Sequence, residues 1–421
     1  HNFSLQGGSE RTSYYFSAGL LDQEGTINYV DDYYKRINIT GKIKTSLTDW
    51  WDFSYEPRFS FSSTYYPNMN SVAGEGFEVY TKFWDELHIM PPTSALYDPY
   101  GNEYAMGHHI FIIPTLKNSG NNIENQETWH NFTTDIRPLK NWKIHADFAY
   151  RNEDLYREDL AKTLYYTNLD RELVPFSYTD LNKFEHFHAS NPYWTSNLYT
   201  SYDFTIADAH KFHVLGGVQY EYDKLRTASI YKTNLIVQDV PSLNTAIGQA
   251  IPDEDLNHWS TLGYFGRFSY NYKEKYLLET NARYDGTSRF REGKRWGFFP
   301  SFSLGWVASR EEFWEEISPY VNILKFRGSW GQLGNQNVAA YQDLALIPLE
   351  AGALNYVFES EGAFPIGYTR TPSLISRNLT WETVTTKNLG LFAAFFDQRL
   401  QIDFDVFERT TTDMIGPSES R

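Results

Sequence analysis

Cysteine is missing from this sequence altogether. Its absence excludes a disulfide scaffold, thiol catalysis and Cys-ligated zinc or iron–sulfur centres, and does not oppose an oxidising compartment. Basic residues are in deficit as well: 37 Lys and Arg stand against 53 Asp and Glu, a formal net charge of −16. A nucleic-acid binder needs a basic footprint, so that class is disfavoured. Long apolar runs are also lacking. The longest, LGLFAAFF at 389–396, falls short of the roughly 18 residues that read as a membrane-spanning helix. A helical membrane protein is excluded, but a membrane barrel is not. Its strands alternate, so a mean hydropathy of −0.53 suits it as well as it suits a soluble protein. The opening HNFSLQGGSE has no signal-peptide character and the closing GPSESR no strand pattern. The expectation is a piece of a longer chain.

Aromatic residues are abundant. Phe 30, Tyr 32 and Trp 12 make up 18% of the chain, against 4 Met. That density excludes disorder. It fits β-sheet, the interfacial belts of a membrane barrel, or stacking on a ligand. Alternation with period two places many of these rings. In 400–407, Leu400, Ile402, Phe404 and Val406 share one face, with Gln401, Asp403 and Asp405 on the other. The same reading separates Tyr264, Phe268, Tyr270 and Tyr272 from Arg267, Ser269 and Asn271. It also separates Ile144, Phe148 and Tyr150 from His145, Asp147 and Arg151. Such runs match the roughly nine to eleven residues of a tilted transmembrane strand. Arg267, Arg283, Lys325 and Arg327 all fall on polar faces. A basic residue at mid-membrane on the lipid side costs about 2–4 kcal/mol. Only 384–396, with Phe392 in it, is apolar on both faces and leaves its phase open.

Connections alternate in length. Tight turns are expected near residues 10–12, 47–51, 138–141, 207–211, 273–275 and 397–398. Long polar stretches are expected at 23–34, 63–127, 156–191, 227–259, 287–297 and 332–382. SREEFWEEIS (309–318) reads as a short helix capped by Ser309, and 76–92 as a helix ending before Pro91. The predicted fold class is therefore all-β: about fourteen strands of a larger antiparallel transmembrane barrel, short turns at one rim and long loops at the other.

Catalytic patterns are weak. His186 and His188 share a face and are the residue type that chelates a metal, but no carboxylate at ligand spacing accompanies them, so ordinary loop histidines are expected. His108 and His109 give no more. Asp253, Glu254 and Asp255 are clustered oxygen donors that match no calcium-loop spacing and read as a solvated acidic loop. No GxSxG, P-loop or HExxH occurs. The expectation is no enzyme, no metal and no cofactor. Two Gly/aromatic segments are more specific. RYDGTSRF (283–290) reads as a strand entering an Asp-Gly turn, with Asp285 accepting from backbone and Gly286 at positive φ. RGSWGQLGNQN (327–337) reads as a strand ending in a polar loop.

These segments carry a resemblance. The stretch from Tyr264 to Asn337 resembles the SusC/RagA family of TonB-dependent outer-membrane transporters, through YFGRFSYNYKEKYLLETNARYDGTSRF, WGFFPSFSLGWVASREEFW and LKFRGSWGQLGNQN. SLQGGSERTSYYFSAGLLDQEGTI (4–27), MPPTSALYDPYGNEY (90–104) and the segment 378–415 are similar to other parts of that family, in family order. Asp285, Gly286, Ser288, Arg289, Phe290, Gly334, Asn335, Trp381 and Glu382 are its structural motif residues here. The family's plug and TonB-contact segment have no counterpart in these residues, and its barrel has 22 strands.

The resemblance implies TonB-dependent import of oligosaccharides or peptides across the outer membrane of a Gram-negative, Bacteroidetes-like bacterium. A SusD-like surface lipoprotein would be the lid, and outer-membrane lipid the surround. The alternatives are a passive porin and a soluble glycan-binding β protein. Loop residues Trp84, Tyr97, Tyr100, Trp259, Asn335, Asn337 and Tyr341 are the ligand-contact candidates, since aromatic and amide side chains suit stacking and hydroxyl recognition.

Overall fold

The computed structural model describes residues 1–25, 31–67, 120–163, 165–167, 170–175, 182–342, 349–350, 368–369 and 379–415. Its strands are β1 (Asn2–Gly8), β2 (Thr12–Glu24), β3 (Tyr33–Thr48), β4 (Trp51–Pro67), β5 (Gly120–Leu139), β6 (Trp142–Ala161), β7 (Tyr165–Thr167), β8 (Leu173–Pro175), β9 (Lys183–Ser190) and β10 (Tyr193–Ile206). There follow β11 (His210–Thr233), β12 (Ile251–Tyr272), β13 (Tyr276–Thr287), β14 (Trp296–Val307), β15 (Val321–Asn335), β16 (Leu349–Glu350), β17 (Tyr368–Thr369), β18 (Glu382–Phe395) and β19 (Leu400–Thr412). Fifteen of them form one sheet in the order β1-β2-β3-β4-β5-β6-β10-β11-β12-β13-β14-β15-β18-β19, with β9 pairing β6 and β11. β7–β8 and β16–β17 are separate small ladders.

β9 and β10 are one wall strand broken at Asn191 and Pro192. Pro192 has no N–H to give, but its carbonyl accepts from Lys224 N at 3.1 Å. The Asn191 backbone N–H donates to Glu153 O at 2.8 Å, and its side-chain amide donates to Asp223 and Lys224 O. Fifteen strands thus make the fourteen crossings expected from the hairpin pattern.

The chain divides into two compact units. The first comprises His1–Thr133, Phe148–Trp194 and Asp223–Asn257. In it Leu20 pairs Ile37 and Ile37 pairs Phe61, an exposed apolar row across β2, β3 and β4. Its small core is Phe184, Leu235 and Ala246, where Asn182 Nδ2 donates to Leu235 O and its Oδ1 accepts from Leu235 N.

The second unit comprises Thr134–Asp147, Thr195–Tyr222 and His258–Arg421. There Tyr276, Trp306, Phe326, Leu391 and Phe404 face one another in register across β13, β14, β15, β18 and β19. One residue along, Gly305, Arg327, Gly390 and Asp405 make the next row, on the opposite face. This settles the phase of β18. Leu389 and Leu391 belong to the apolar side, while Phe392 pairs with Lys325 and Asp403 on the polar side.

Several expectations need correction. The segment 309–318 is not a helix capped by Ser309. It holds two 3₁₀ turns, Ala308–Arg310 and Glu312–Trp314, the first without a side-chain cap and with Ser309 inside it. Ten residues give too few i→i−4 bonds to offset helix nucleation, and the Trp314 indole N–H donates instead to Val321 O at 3.0 Å. The stretch 227–259 is not all loop, since β11 runs to Thr233 and β12 begins at Ile251. A single 3₁₀ turn, Leu243–Thr245, capped by Ser242, lies between them. Alternation fails to mark these extensions because ladder with water on both faces needs no apolar side. Gly286 does not turn the chain. It lies within β13, opposite Leu262 and Trp296, and among the described residues the glycine at positive φ is Gly293. A Cβ at 286 would sit 2.8 Å from the Trp296 ring, so close approach rather than φ explains this glycine. The helix expected at 76–92 lies outside the described residues.

Candidate functional site

Residues far apart in sequence meet at the long-loop end of the second unit. Phe290, Phe299, Val338 and Trp381 form a buried cluster, with Leu379 and Ile415 packed against it. Trp381 is edge-on to both Phe290 and Phe299, at centroid distances of 5.7 and 5.3 Å. Its indole N–H donates to Arg295 O at 2.8 Å, satisfying the polar edge of a buried ring. Gly334 leaves room for Phe299, whose ring would lie 2.1 Å from a Cβ there.

Arg289 crosses this cluster's rim. It donates to Val338 O and lies over the Trp259 ring, 4.8 Å from its centroid. Tyr341 has φ +64 and bonds through its hydroxyl to His258 Nδ1. Asn335 Nδ2 reaches Glu382 at 3.4 Å, and Asn335 Oδ1 accepts from Asn337 N at 3.0 Å. Ser288 extends the ladder beyond β13: its N–H donates to Ser260 O, and its Oγ accepts from Ser260 N, both at 2.9 Å. The motif residues thus fix the first residues of each connection.

The polar face of the same unit is a compensated charge network. Asp285 accepts two bonds from Arg283, at 2.9 and 3.1 Å, not from backbone as the turn reading had it. Arg283 also reaches Gln219 at 3.2 Å. Arg267 donates to Asn281 at 2.7 Å, and Asn281 donates to Glu279 at 3.1 Å. His145 lies between Asp135 and Asp147, at 2.6 and 3.2 Å, against the Tyr199 ring. Arg327 reaches across β18, over Gly390, to Asp403 at 2.5 Å and to Asp405. Arg267, Arg283, Arg327 and His145 each have a polar or acidic partner within the face, which suits a hydrated or ligand-lined surface.

At the short-turn end, neighbouring turns are tied by ion pairs. Glu274 is held below its ordinary value by the Arg310 guanidinium first and Lys211 second. Glu311 is held below its own by the hydrogen bond from Lys275, then by Tyr276 and Trp306. Lys275 is raised by the same bond to Glu311.

The remaining candidates separate. Trp84, Tyr97, Tyr100, His108 and His109 lie outside the described residues. His186 and His188 sit on strand β9, not in a loop. His186 is 3.8 Å from Glu158, and His188 stacks on Tyr156 and is 3.7 Å from Asp154. Asp253, Glu254 and Asp255 open β12 rather than forming a loop, and Glu254 pairs with Arg226 at 2.6 Å. Among the described residues no three His, Asp or Glu side chains are grouped to hold a metal ion. The cross-strand pairs, such as Arg327 with Asp403 and Asp405, escaped sequence reading because register joins them, whereas Arg283–Asp285 and His145–Asp147 are two-residue neighbours on one face.

Residues 88–421 match the family model described as TonB dependent receptor-like, beta-barrel. The chain belongs to this family. Its antiparallel wall is that of a TonB-dependent receptor β-barrel, and the expected SusC/RagA likeness is borne out. TonB-dependent receptor P3 of Formosa agariphila is 23% identical over 98% of this chain and 40% of its own length. TonB-dependent receptor SusC of Bacteroides thetaiotaomicron is 37% identical over 160 residues, 37% of this chain and 15% of that protein. The structure of the RagAB peptide transporter superposes with a TM-score of 0.77 at 21% identity, covering 98% of this chain and 44% of that one. The chain therefore spans about 40% of the length of a TonB-dependent receptor that it matches nearly end to end.

Proposed function

We propose that this chain supplies wall of an outer-membrane importer that takes up oligosaccharides or peptides, driven by TonB and covered by a SusD-like lipoprotein. The observation that carries this reading is the segregation of most charge to one face, the Lys387–Glu408 pair beside Trp330 being an exception on the apolar side. Arg267, Arg283, Arg327 and their acidic partners share the polar face, while Phe298, Leu304 and Phe404 are exposed on the other. A soluble glycan-binding protein has no use for such an exposed apolar side. A passive porin shares the wall but not the family's coupling to TonB. No bond is made or broken in this reading.

The test is uptake by cells making the full-length protein with its neighbouring lipoprotein, offered labelled oligosaccharides and peptides in turn. Uptake of one class, abolished when TonB is removed, is expected. Uptake that persists without TonB would establish the porin reading.

A further inference from the structure

We propose that residues 311–320, the connection from β14 to β15, lie in the headgroup boundary of the bilayer leaflet at the short-turn end, with phospholipid as their occupant. The other short-end connections seen here are tight turns. This one is long, and it carries Phe313 at 65% and Tyr320 at 67% exposure, with Ile317 at 40%. Its backbone is wound: Ser318 N donates to Trp314 O at 2.9 Å and Val321 N to Ile317 O at 3.0 Å. Its other bonds are i→i−3, as from Trp314 N to Glu311 O, Ile317 N to Trp314 O and Tyr320 N to Ile317 O, so it has no continuous helical face. Phe313, Ile317 and Tyr320 are exposed beside the exposed carboxylates Glu312, Glu315 and Glu316. A short segment that exposes both large apolar and charged side chains suits an interface better than either bulk phase.

The occupant follows from continuity with the apolar face. Glu311 accepts from the Trp306 indole N–H at 3.2 Å, and Trp306 stacks on Phe326 at 5.6 Å in the exposed row that runs to Phe404. The segment is therefore tied to the last aromatic row of that face and extends it. Phe396 adds a second observation. It stands in the β18–β19 turn at φ +52, where a bulky side chain is strained, and is itself exposed. Its N–H donates to Tyr320 O at 3.2 Å, which joins it to the same patch. Water alone would favour Asn or Gly there; an apolar occupant gives the ring a reason to remain.

This inference rests on the membrane-wall reading, and the experiment separates the two. These 421 residues contain no cysteine, so single spin-labelled cysteines are simple to introduce. Full-length protein in phospholipid nanodiscs would carry labels at 313, 317, 320 and 396, at 312, 315 and 316, and at the strand positions 304 and 404. The ratio of oxygen to nickel-chelate accessibility is expected to be several-fold higher at the first group than at the second, approaching that of the strands. High values at the strands with low values at 313, 317 and 320 would overturn the anchor and leave the wall standing. Low values everywhere would overturn the wall itself. Shielding from both relaxants would mean a protein partner and would also overturn the lipid assignment. Unmodified protein gives an independent reading: a diazirine phospholipid should label the peptide containing 313–320, and its failure to do so while labelling β14 and β19 would sink the proposal.

Discussion

Gly390 shows how one missing side chain organises a face. A Cβ there would lie 2.3 Å from Arg327 Nε and 2.5 Å from Asp405 Oδ1. Neither atom is free to move, because the guanidinium is held by two carboxylates on the far side of β18. Gly390→Ala should therefore destabilise the wall, because the added methyl displaces the Arg327 side chain from its carboxylates. Gly328→Ala, whose nearest atom would be 3.4 Å away, should cost less. Urea unfolding of the full-length protein in detergent checks the difference, and equal stability of the two variants would dismiss the bridge.

The turn pairs have a pH signature. The folded-state values of Glu274 and Glu311 are depressed, so their contribution is fully present above the ordinary 4.5 and is lost as pH falls through the lower folded values. Lys275 works the other way: it is raised, so its contribution is intact below 10.5 and lost as pH climbs through its folded value. Neutral pH touches neither. The thermal midpoint of Glu311→Gln should fall less steeply than that of the parent below pH 4.5. Parallel curves would mean that the pair contributes nothing in solution.

At the level of elements, the strands were the most legible part of the sequence. Period two marked the faces of β6, β12 and β19, because one side of each must meet lipid. The ends of β11 and β12 were not legible, since outside the bilayer both faces are wet and any polar sequence serves. The phase of β18 was hidden for the opposite reason: Phe392 and Ala394 make its inner side apolar as well, and only the pairing with Lys325 and Asp403 decides it. Pairing also changes a mutational expectation. Alternation alone marks Asp403→Arg as harmless, yet Asp403 accepts from Arg327 at 2.5 Å, so a second arginine there would repel the first. Gln401 is the better control on that face. Phe404 is 60% exposed in the apolar row, so Phe404→Arg should impair assembly, whereas Gln401→Arg should assemble normally. Heat-modifiable migration of the full-length protein on gels reads assembly directly, and equal yields would refute the face assignment.

Across the whole molecule, apart from the β14–β15 connection, connection length sorts with strand direction, and the two ends of the strands serve different purposes. The long-loop end gathers what the sequence showed only as separate motifs. Phe290 and Trp381 are 1% and 7% exposed and meet across most of a hundred residues, a contact that no local pattern encodes. Their cluster holds Val338 and Leu379, the described residues flanking the stretch that contains β16 and β17. If the long connections dock a lipoprotein lid, the cluster sets where one of them starts and returns. Phe290→Ala removes a fully buried ring and should cost about 3–5 kcal/mol locally. Because the ladder of β13, β14, β15 and β18 does not depend on that ring for its backbone bonds, the wall should still assemble while lipoprotein co-purification falls. Deleting 78–88 or 350–362 should lower it as well, for want of the aromatic anchors that interfaces of this kind bury. A complex that survives Phe290→Ala and both deletions at parental yield would mean that these connections are not the docking surface, and the lid would have to be sought on other loops.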